Sequence, residues 1–451
     1  MNLGLAMLTQ GRQDEALSCQ REALRIDPDS ADAQNNLGMV HYANGHIAEA
    51  QNCFRAAVRL RSDHPNATLN LGSTRQIFNH VEEAEGLFRR ALVLGADPVR
   101  ANSNLALALM EQGRPEEAEL CCRQALAMQP QNPEARANLA LALLTMGRLE
   151  EGWHAYESRW EVEAMGGPAP VLSQPRWTGQ ALHGETVLLY AEQGFGDTLQ
   201  FCRYAMMVAA AGGRVILVVP KALRRVMATL DGVAELLTEE DDVLPPFDYH
   251  CPLLSLPFAF GTSMATIPAP KAYLGADPSP FAYFLANLPG LKVGLVWAGK
   301  SRAAQPHAVA IDKRRSMRLA ELVPLLSVPG CDFVSLQCGP AAAQMQTLPG
   351  GAVLHDVSGQ LEDWADTAGL IAGLDLVIAV DTAVAHLAGA LGKPVWLLNR
   401  FDSCWRWFLN RDDTPWYPTM RQFRQTSRGD WTGVIERVRR ALEERAGKYQ
   451  R

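Results

Sequence analysis

One period governs the first third of the chain. Leu3, Leu37, Leu71, Leu105 and Leu139 stand 34 residues apart, and the next residue is small each time: Gly4, Gly38, Gly72, Ala106 and Ala140. Gly11, Gly45, Asn79, Gly113 and Gly147 keep the same step, as do Ala16, Ala50, Ala84 and Ala118, and then Ala23, Ala57, Ala91 and Ala125. Registers repeated at one period mark a unit that cannot bury its apolar face alone and must stack on its neighbours. A helix–turn–helix unit fits. The small residue lets the two helices approach, the Gly or Asn takes the left-handed conformation that ends the first helix, and the alanines sit where the second helix packs. Phe54, Phe88 and Tyr156 fill the gap between repeats, and Pro28 and Pro130 end second helices. The first copy lacks the opening of its first helix, so the pattern begins mid-repeat.

This pattern resembles tetratricopeptide repeats from residue 1 to about 160. A repeat array with a capping helix is expected over 1–163. One column is not explained by packing. Asn2, Asn36, Asn70, Asn104 and Asn138 also recur every 34 residues, although Asn is a poor helix former. A stacked array would align them as a ladder of amides able to bond the backbone of an extended peptide. The column is similar to the asparagine ladder of the O-linked N-acetylglucosamine transferase repeats, which implies a polypeptide acceptor or protein partner. The alternative is that these amides bond neighbouring helices within the array.

The length of 451 residues suggests about three domains at roughly 150 residues each. With 48% hydrophobic and 20% charged residues the chain is globular, not disordered or fibrous. A net charge of −7 argues against a nucleic-acid partner. No apolar run approaches the ~20 residues of a membrane span, and the start lacks the pattern of a signal peptide. Nine cysteines without a CxxC pair read as free thiols in a reducing compartment. A cytoplasmic location is therefore expected, with no metal site. Repeat arrays often dimerise, so a homodimer is left open.

The last repeat degrades into EEGWHAYESRWEVEAMGG, with Trp153, Tyr156 and Trp160 on one helical face. It reads as a capping helix whose aromatics dock on the next domain, or as a plain end-cap. The Gly- and Pro-rich stretch 164–184 reads as a linker. From residue 185 short apolar runs alternate with helical stretches, which predicts parallel sheets. One Rossmann-like lobe is expected over 185–289 and a second over 290–451, facing each other across a cleft, with an amphipathic helix at the end.

Four clusters carry candidate chemistry. The loop Glu192-Gln193-Gly194-Phe195-Gly196-Asp197 turns from strand into helix, and its glycines let the backbone approach a ligand. Asp197 is either a helix cap or a general base. In Asp381-Thr382-Ala383-Val384-Ala385-His386, the Thr382 and Ala383 amides would meet a diphosphate at the positive helix end. His386 follows one turn in, as a ligand contact or a satisfied core histidine. Trp297, Lys300, Arg302 and Lys313-Arg314-Arg315 supply a strand end and cations suited to phosphate. Gln337 ends the next strand, where a base or ribose would lie. Trp405, Trp407, Trp416 and Tyr417 form either a sugar or acceptor platform or ordinary packing.

The 185–450 region resembles glycosyltransferase family 9, the heptosyltransferase-like enzymes of GT-B type. The GFGD loop matches the family's acceptor-side loop, and DTAVAHLAGALGKPV matches its donor diphosphate segment. The resemblance implies a metal-independent glycosyltransferase that uses a nucleotide-sugar co-substrate and no other cofactor. It implies Asp197 as base and Asp381, Thr382, Ala383 and His386 at the donor. Gly194, Gly196, Trp297, Lys300, Arg314, Arg315 and Gln337 are counted with the donor site. The acceptor is expected to be a polypeptide held by the repeats. A glycan or lipid-linked acceptor, with the repeats binding a partner, is the alternative, and a non-catalytic scaffold is another.

Overall fold

The structure is a computed structural model that describes residues 6–7, 10–165, 167–300 and 306–449. Asn2, Leu3, Gly4 and Arg302 lie outside the described residues. The chain divides into two compact units, Met1–Met146 with Ser301–Lys313, and Gly147–Lys300 with Arg314–Arg451.

The first unit holds consecutive helices α1 (Gln13–Ile26), α2 (Ala31–Ala43), α3 (Ile47–Leu60), α4 (Pro65–Ile77), α5 (Val81–Val93), α6 (Pro98–Glu111), α7 (Pro115–Met128) and α8 (Pro133–Thr145). The side chains of Ser30, His64, Asp97 and Asn132 accept from backbone amides at the starts of α2, α4, α6 and α8, so each repeat from the second onward opens on a cap. The turns between helices fall on Gly11, Gly45, Asn79 and Gly113, at φ 75°, 75°, 68° and 71°, the left-handed region the period predicts. The small column has an equally local cause. A Cβ added at Gly38 would lie 2.6 Å from Phe54 Cε1, and one at Gly72 would lie 2.5 Å from Phe88 Cε1. The ring from the second helix needs the missing Cβ of the first. In the next repeat Ala106 replaces Gly and Cys122 replaces Phe, and both are buried in one cluster. Volume is exchanged across the pair.

The second unit opens with α9 (Leu149–Tyr156). The indole of Trp153 meets Trp405 edge-on at 5.2 Å and also contacts Phe201 and Trp416 at 6.4 Å. Its Nε1–H donates to the Thr262 carbonyl at 3.0 Å. The aromatics of this helix thus dock on the α/β region, and the boundary between compact units falls before the helix.

Two parallel sheets follow. The first comprises β1 (Thr186–Tyr190), β2 (Arg214–Val219), β3 (Val233–Thr238) and β4 (Tyr249–Pro252), in the order β3-β2-β1-β4. The second comprises β5 (Leu291–Val296), β6 (Cys331–Ser335), β7 (Leu376–Val380), β8 (Val395–Asn399) and β9 (Met420–Arg424), in the order β6-β5-β7-β8-β9. The central strands β7 and β8 are buried along their whole length, which is why they read as unbroken apolar runs. The strand order reverses between β1 and β4 in one sheet and between β5 and β7 in the other. Crevices at the carboxyl ends of strands open at such points.

The helices named below are α10 (Phe195–Phe201), α11 (Tyr204–Ala210), α12 (Pro306–Arg315), α13 (Trp364–Ala372), α14 (Ala383–Ala390) and α15 (Trp431–Tyr449). The stretch TLQFCRYAMMVAAAGG thus divides in two. RLAELVPLLSV forms a 3-10 turn and then one α-turn starting beside Pro324, because proline has no N–H to continue the first segment. Helix α15 buries Trp431, Val434, Ile435, Val438 and Leu442, the face its periodicity predicts. No helix among the described residues is long and apolar enough to cross a membrane.

Candidate functional site

The loop after β1 sits at the reversal point of the first sheet. Gly194 caps α10 in an extended conformation, and its N–H donates to Asp197 Oδ2 at 2.9 Å. The other oxygen, Oδ1, is ion-paired with Arg406 from the far part of the chain. Asp197 is thus not the N-cap itself but the third residue of α10, whose carboxylate accepts back from the capping Gly194 and forms one half of an ion pair, and its side chain keeps 20% exposure. Each carboxylate oxygen has two lone pairs, so one bond apiece leaves each able to accept another.

Sequence reasoning missed Arg406. Its only trace is an arginine between two tryptophans in CWRWF. The guanidinium donates to Gln200 Oε1 at 2.9 Å and lies 4.3 Å from the Trp405 ring centroid. Burial works against its charge, but Asp197, Cys404 and Tyr156 outweigh that and hold its pKa above the ordinary value. A second missed pair braces the start of the same loop. Arg159 is 1% exposed and donates to both oxygens of Glu192, at 2.8 and 2.9 Å. The Leu254 N–H reaches the same carboxylate at 3.0 Å. Burial pushes the Glu192 pKa up against the pull of Arg159.

The loop after β7 sits at the reversal point of the second sheet. Thr382 is the N-cap of α14, but its side chain makes no capping bond. Thr382 Oγ1 is buried and has no hydrogen-bond partner among the described residues, an unusual state for a hydroxyl. The first amides of an α-helix also lack intrahelical partners and carry its positive dipole end. Arg315 Nη1 donates to the Asp381 carbonyl at 3.2 Å. Arg314 pairs with Asp402 at 2.9 Å, and Arg400 approaches the same carboxylate at 3.7 Å. Lys300 is exposed at the end of the segment that leaves β5. A buried hydroxyl, the first amides of α14 and the Arg315 guanidinium thus lie at the end of β7, an arrangement suited to an anion.

Gln337 and Trp297 serve a tighter purpose than a loose ligand contact. Gln337 Oε1 accepts from the amides of Trp297 and Ala298 at 3.1 and 2.9 Å, and its Nε2 donates to the carbonyls of Ala298 and Cys338 at 3.1 and 3.0 Å. This amide ties the ends of β5 and β6 together. The Trp297 ring is fully buried, so only its backbone borders the strand end.

The two loops meet. A Cβ on Gly196 would lie 2.9 Å from His386 Cδ2 and 3.6 Å from the Ala383 Cα, so this glycine is what lets α10 approach α14. His386 Nδ1 lies 2.8 Å from the Tyr417 hydroxyl, and its ring stacks on Trp407 at 5.1 Å. Burial drives the His386 pKa down to about 4. The ring is neutral at pH 7, while in the unfolded chain it titrates near 6.5. The unfolded state therefore binds an extra proton between about pH 4 and 6.5, so stability is full above that window and falls as the pH drops through it. Two and a half units correspond to about 3 kcal/mol. Denaturant titrations from pH 7.5 to 4 should show that loss in the native chain and a smaller one in His386→Gln.

The other expected residues divide by position. Trp407 and Trp416 are fully buried, and Trp405 and Tyr417 nearly so. These rings form core around Trp153 and Phe201 and are not an exposed sugar platform. In the repeats, Asn70 Nδ2 donates to Asn35 Oδ1 at 2.9 Å, Asn104 Nδ2 to Ser73 Oγ at 3.1 Å, and Asn138 Nδ2 to the Ser103 carbonyl at 3.1 Å. Asn36 Oδ1 accepts from Asn35 at 3.4 Å, and Asn70 Oδ1 accepts from Arg100 at 2.7 Å. Each amide from Asn70 onward bridges to the preceding repeat.

Comparison with known proteins agrees with this architecture. Residues 4–45 match the TPR repeat, and residues 35–101, 78–133 and 103–168 match the tetratricopeptide repeat. Residues 298–398 match glycosyltransferase family 9 (heptosyltransferase). Protein FlbA of Caulobacter vibrioides is 30% identical in an alignment 319 residues long that covers 65% of this chain and 52% of FlbA. The chain thus spans about half the length of that curated relative. Among solved structures, MamA is 22% identical, covering 36% of this chain and 96% of MamA with a TM-score of 0.31. Pseudomonas aeruginosa pilF is 25% identical, covering 38% and 75% with a TM-score of 0.33. The chain carries tetratricopeptide repeats fused to a glycosyltransferase family 9 segment.

Proposed function

We propose that the chain is a metal-independent glycosyltransferase of GT-B type that moves a sugar from a nucleotide donor to a hydroxyl group. The observation that carries the reading is the orphaned Thr382 hydroxyl at the start of α14, beside Arg315, within the segment that matches the family. The donor diphosphate would lie against the Thr382 and Ala383 amides and that hydroxyl. Lys300, Arg314 and Arg315 would offset the charge that grows on the leaving diphosphate, the part a divalent cation plays elsewhere. Asp381 and Gln337 would hold the strand ends that frame the nucleotide, with the Trp297 backbone. Gly194, Gly196 and neutral His386 would shape the contact between the two loops. Asp197 would take the proton of the acceptor hydroxyl as its oxygen bonds to the anomeric carbon. In the same step the carbon–oxygen bond to the diphosphate breaks, and the nucleoside diphosphate leaves with the electron pair. In this reading the reaction takes place in the cytoplasm.

In this reading the acceptor is a polypeptide delivered by the repeats, which would engage it through amide atoms of Asn36, Asn70, Asn104 and Asn138 not spent on neighbours. One observation favours a second reading. The Nδ2 groups of Asn70, Asn104 and Asn138 all bond within the array, which suits repeats that bind a partner while the acceptor is a glycan or lipid-linked glycan.

The donor site is tested by Thr382→Val. Removing a buried hydroxyl that has no partner should raise thermal stability, because leaving it unpaired costs about 1–3 kcal/mol. Calorimetric affinity for a nucleoside diphosphate should nevertheless fall about tenfold, as one hydrogen bond to a charged group is lost. Unchanged affinity would remove the diphosphate from this position.

A further inference from the structure

A second cationic cleft lies away from these loops, between β9 at the edge of the second sheet and α15. It has a volume of about 470 Å³ and is lined by five arginines, Arg411, Arg421, Arg424, Arg437 and Arg440. It shares no lining residue with the strand ends that carry Thr382 and Arg315. Three of the five have carboxylates nearby. Arg411 pairs with Asp413 at 2.6 Å, Arg440 with Glu436 at 2.9 Å, and Arg421 lies 4.0 Å from Asp412.

Arg424 and Arg437 have no carboxylate at ion-pair distance among the described residues. Arg424 spends its Nη groups on the Ser403 hydroxyl and on the carbonyls of Trp407 and Phe408. Its Nε is buried with no hydrogen-bond partner. Burial draws its pKa down to about 10, the sign of a charge held without a counter-ion. Arg437 donates to the Arg424 carbonyl, which fixes a second cation on the same wall. Arg437 thus brings to the cleft a charge that no carboxylate among the described residues balances, and an anion held there would balance it. The planar forks of Arg437 and Arg440, which line the cleft, match phosphate oxygens.

We propose that this cleft binds the phosphoryl group of a small phosphorylated molecule, at a site separate from the donor diphosphate. The size suits a nucleotide-sized ligand. Asp412 and Glu444 also line the cleft, and these acids disfavour a long polyanion while leaving room for one phosphoryl group.

The test uses the full chain at low salt. Hydrogen exchange over residues 420–444 is followed while inorganic phosphate or AMP is titrated in. Both ligands should slow exchange in this segment in the native chain and in Thr382→Val. Arg437→Gln combined with Arg440→Gln should weaken that protection about tenfold or more, as two charged hydrogen bonds are lost. Arg421→Gln with Arg440→Gln, both at exposed positions, serves if the first pair fails to fold. Protection at lower AMP than phosphate concentration supports a nucleotide, and equal protection supports a site that reads phosphate alone. Absence of protection, protection unchanged in the folded variants, or tighter competition by a thymidine oligonucleotide than by AMP overturns the proposal.

Discussion

Asp197→Ala should lower sugar transfer by about a thousandfold, within the roughly 10²–10⁴ that a positioned general base contributes. The same change should also weaken the fold. It leaves the buried Arg406 without its partner, a loss of about 3–5 kcal/mol for a broken buried pair. It removes the carboxylate that accepts from Gly194 as well, worth about 1 kcal/mol for a cap. Loss of transfer alone is therefore ambiguous. Asp197→Asn combined with Arg406→Met resolves it. The Asn oxygen can still accept from Gly194, and no charge is left buried. Thermal unfolding should return close to that of the native chain, whereas transfer should stay lost. If transfer returns with stability, Asp197 positions the loop and another group is the base.

A truncated chain that begins at residue 147 should unfold cooperatively, and one that begins at residue 164 should not. The segment between contains Trp153, whose ring is core for Phe201, Trp405 and Trp416. Removing a buried tryptophan costs about 3–5 kcal/mol. It also contains Arg159, without which Glu192 is left buried and unpaired, a further loss of about 3–5 kcal/mol. The sum approaches the whole stability of an ordinary domain, about 5–15 kcal/mol. Near-UV circular dichroism of the two truncations checks this, and equal melting would contradict the role given to the segment.

The repeat was legible because its period is written in residues with one conformational job each. Gly45, Asn79 and Gly113 take positive φ where the period places them, and Gly38 and Gly72 make room for Phe54 and Phe88. The sheets were legible because strands buried on both faces leave continuous apolar runs. The helix start at Thr382 followed from strand–turn–helix spacing, whereas α10 begins at Phe195, ahead of the start that spacing put at Asp197. What stayed hidden is what depends on partners distant in sequence. Nothing near Asp197 announces Arg406, which arrives from about 200 positions away. The asparagine column is periodic whether its amides face a ligand or the previous repeat, and the bonds to Asn35, Ser73 and Ser103 are written nowhere in the period. The tryptophans near 405–416 look alike as a platform or as core. Their burial around Trp153 makes them core.

The most direct test of the account is sugar transfer itself. The full chain and Asp197→Asn/Arg406→Met are each incubated with a panel of nucleotide sugars and the material that co-purifies with the repeats. Nucleoside diphosphate release and the intact mass of every co-purifying species are then measured. The account predicts release with one donor, matched by a gain of one sugar residue on a co-purifying polypeptide, and neither with the double variant. Release no greater than that of the double variant for every donor in the panel would contradict it.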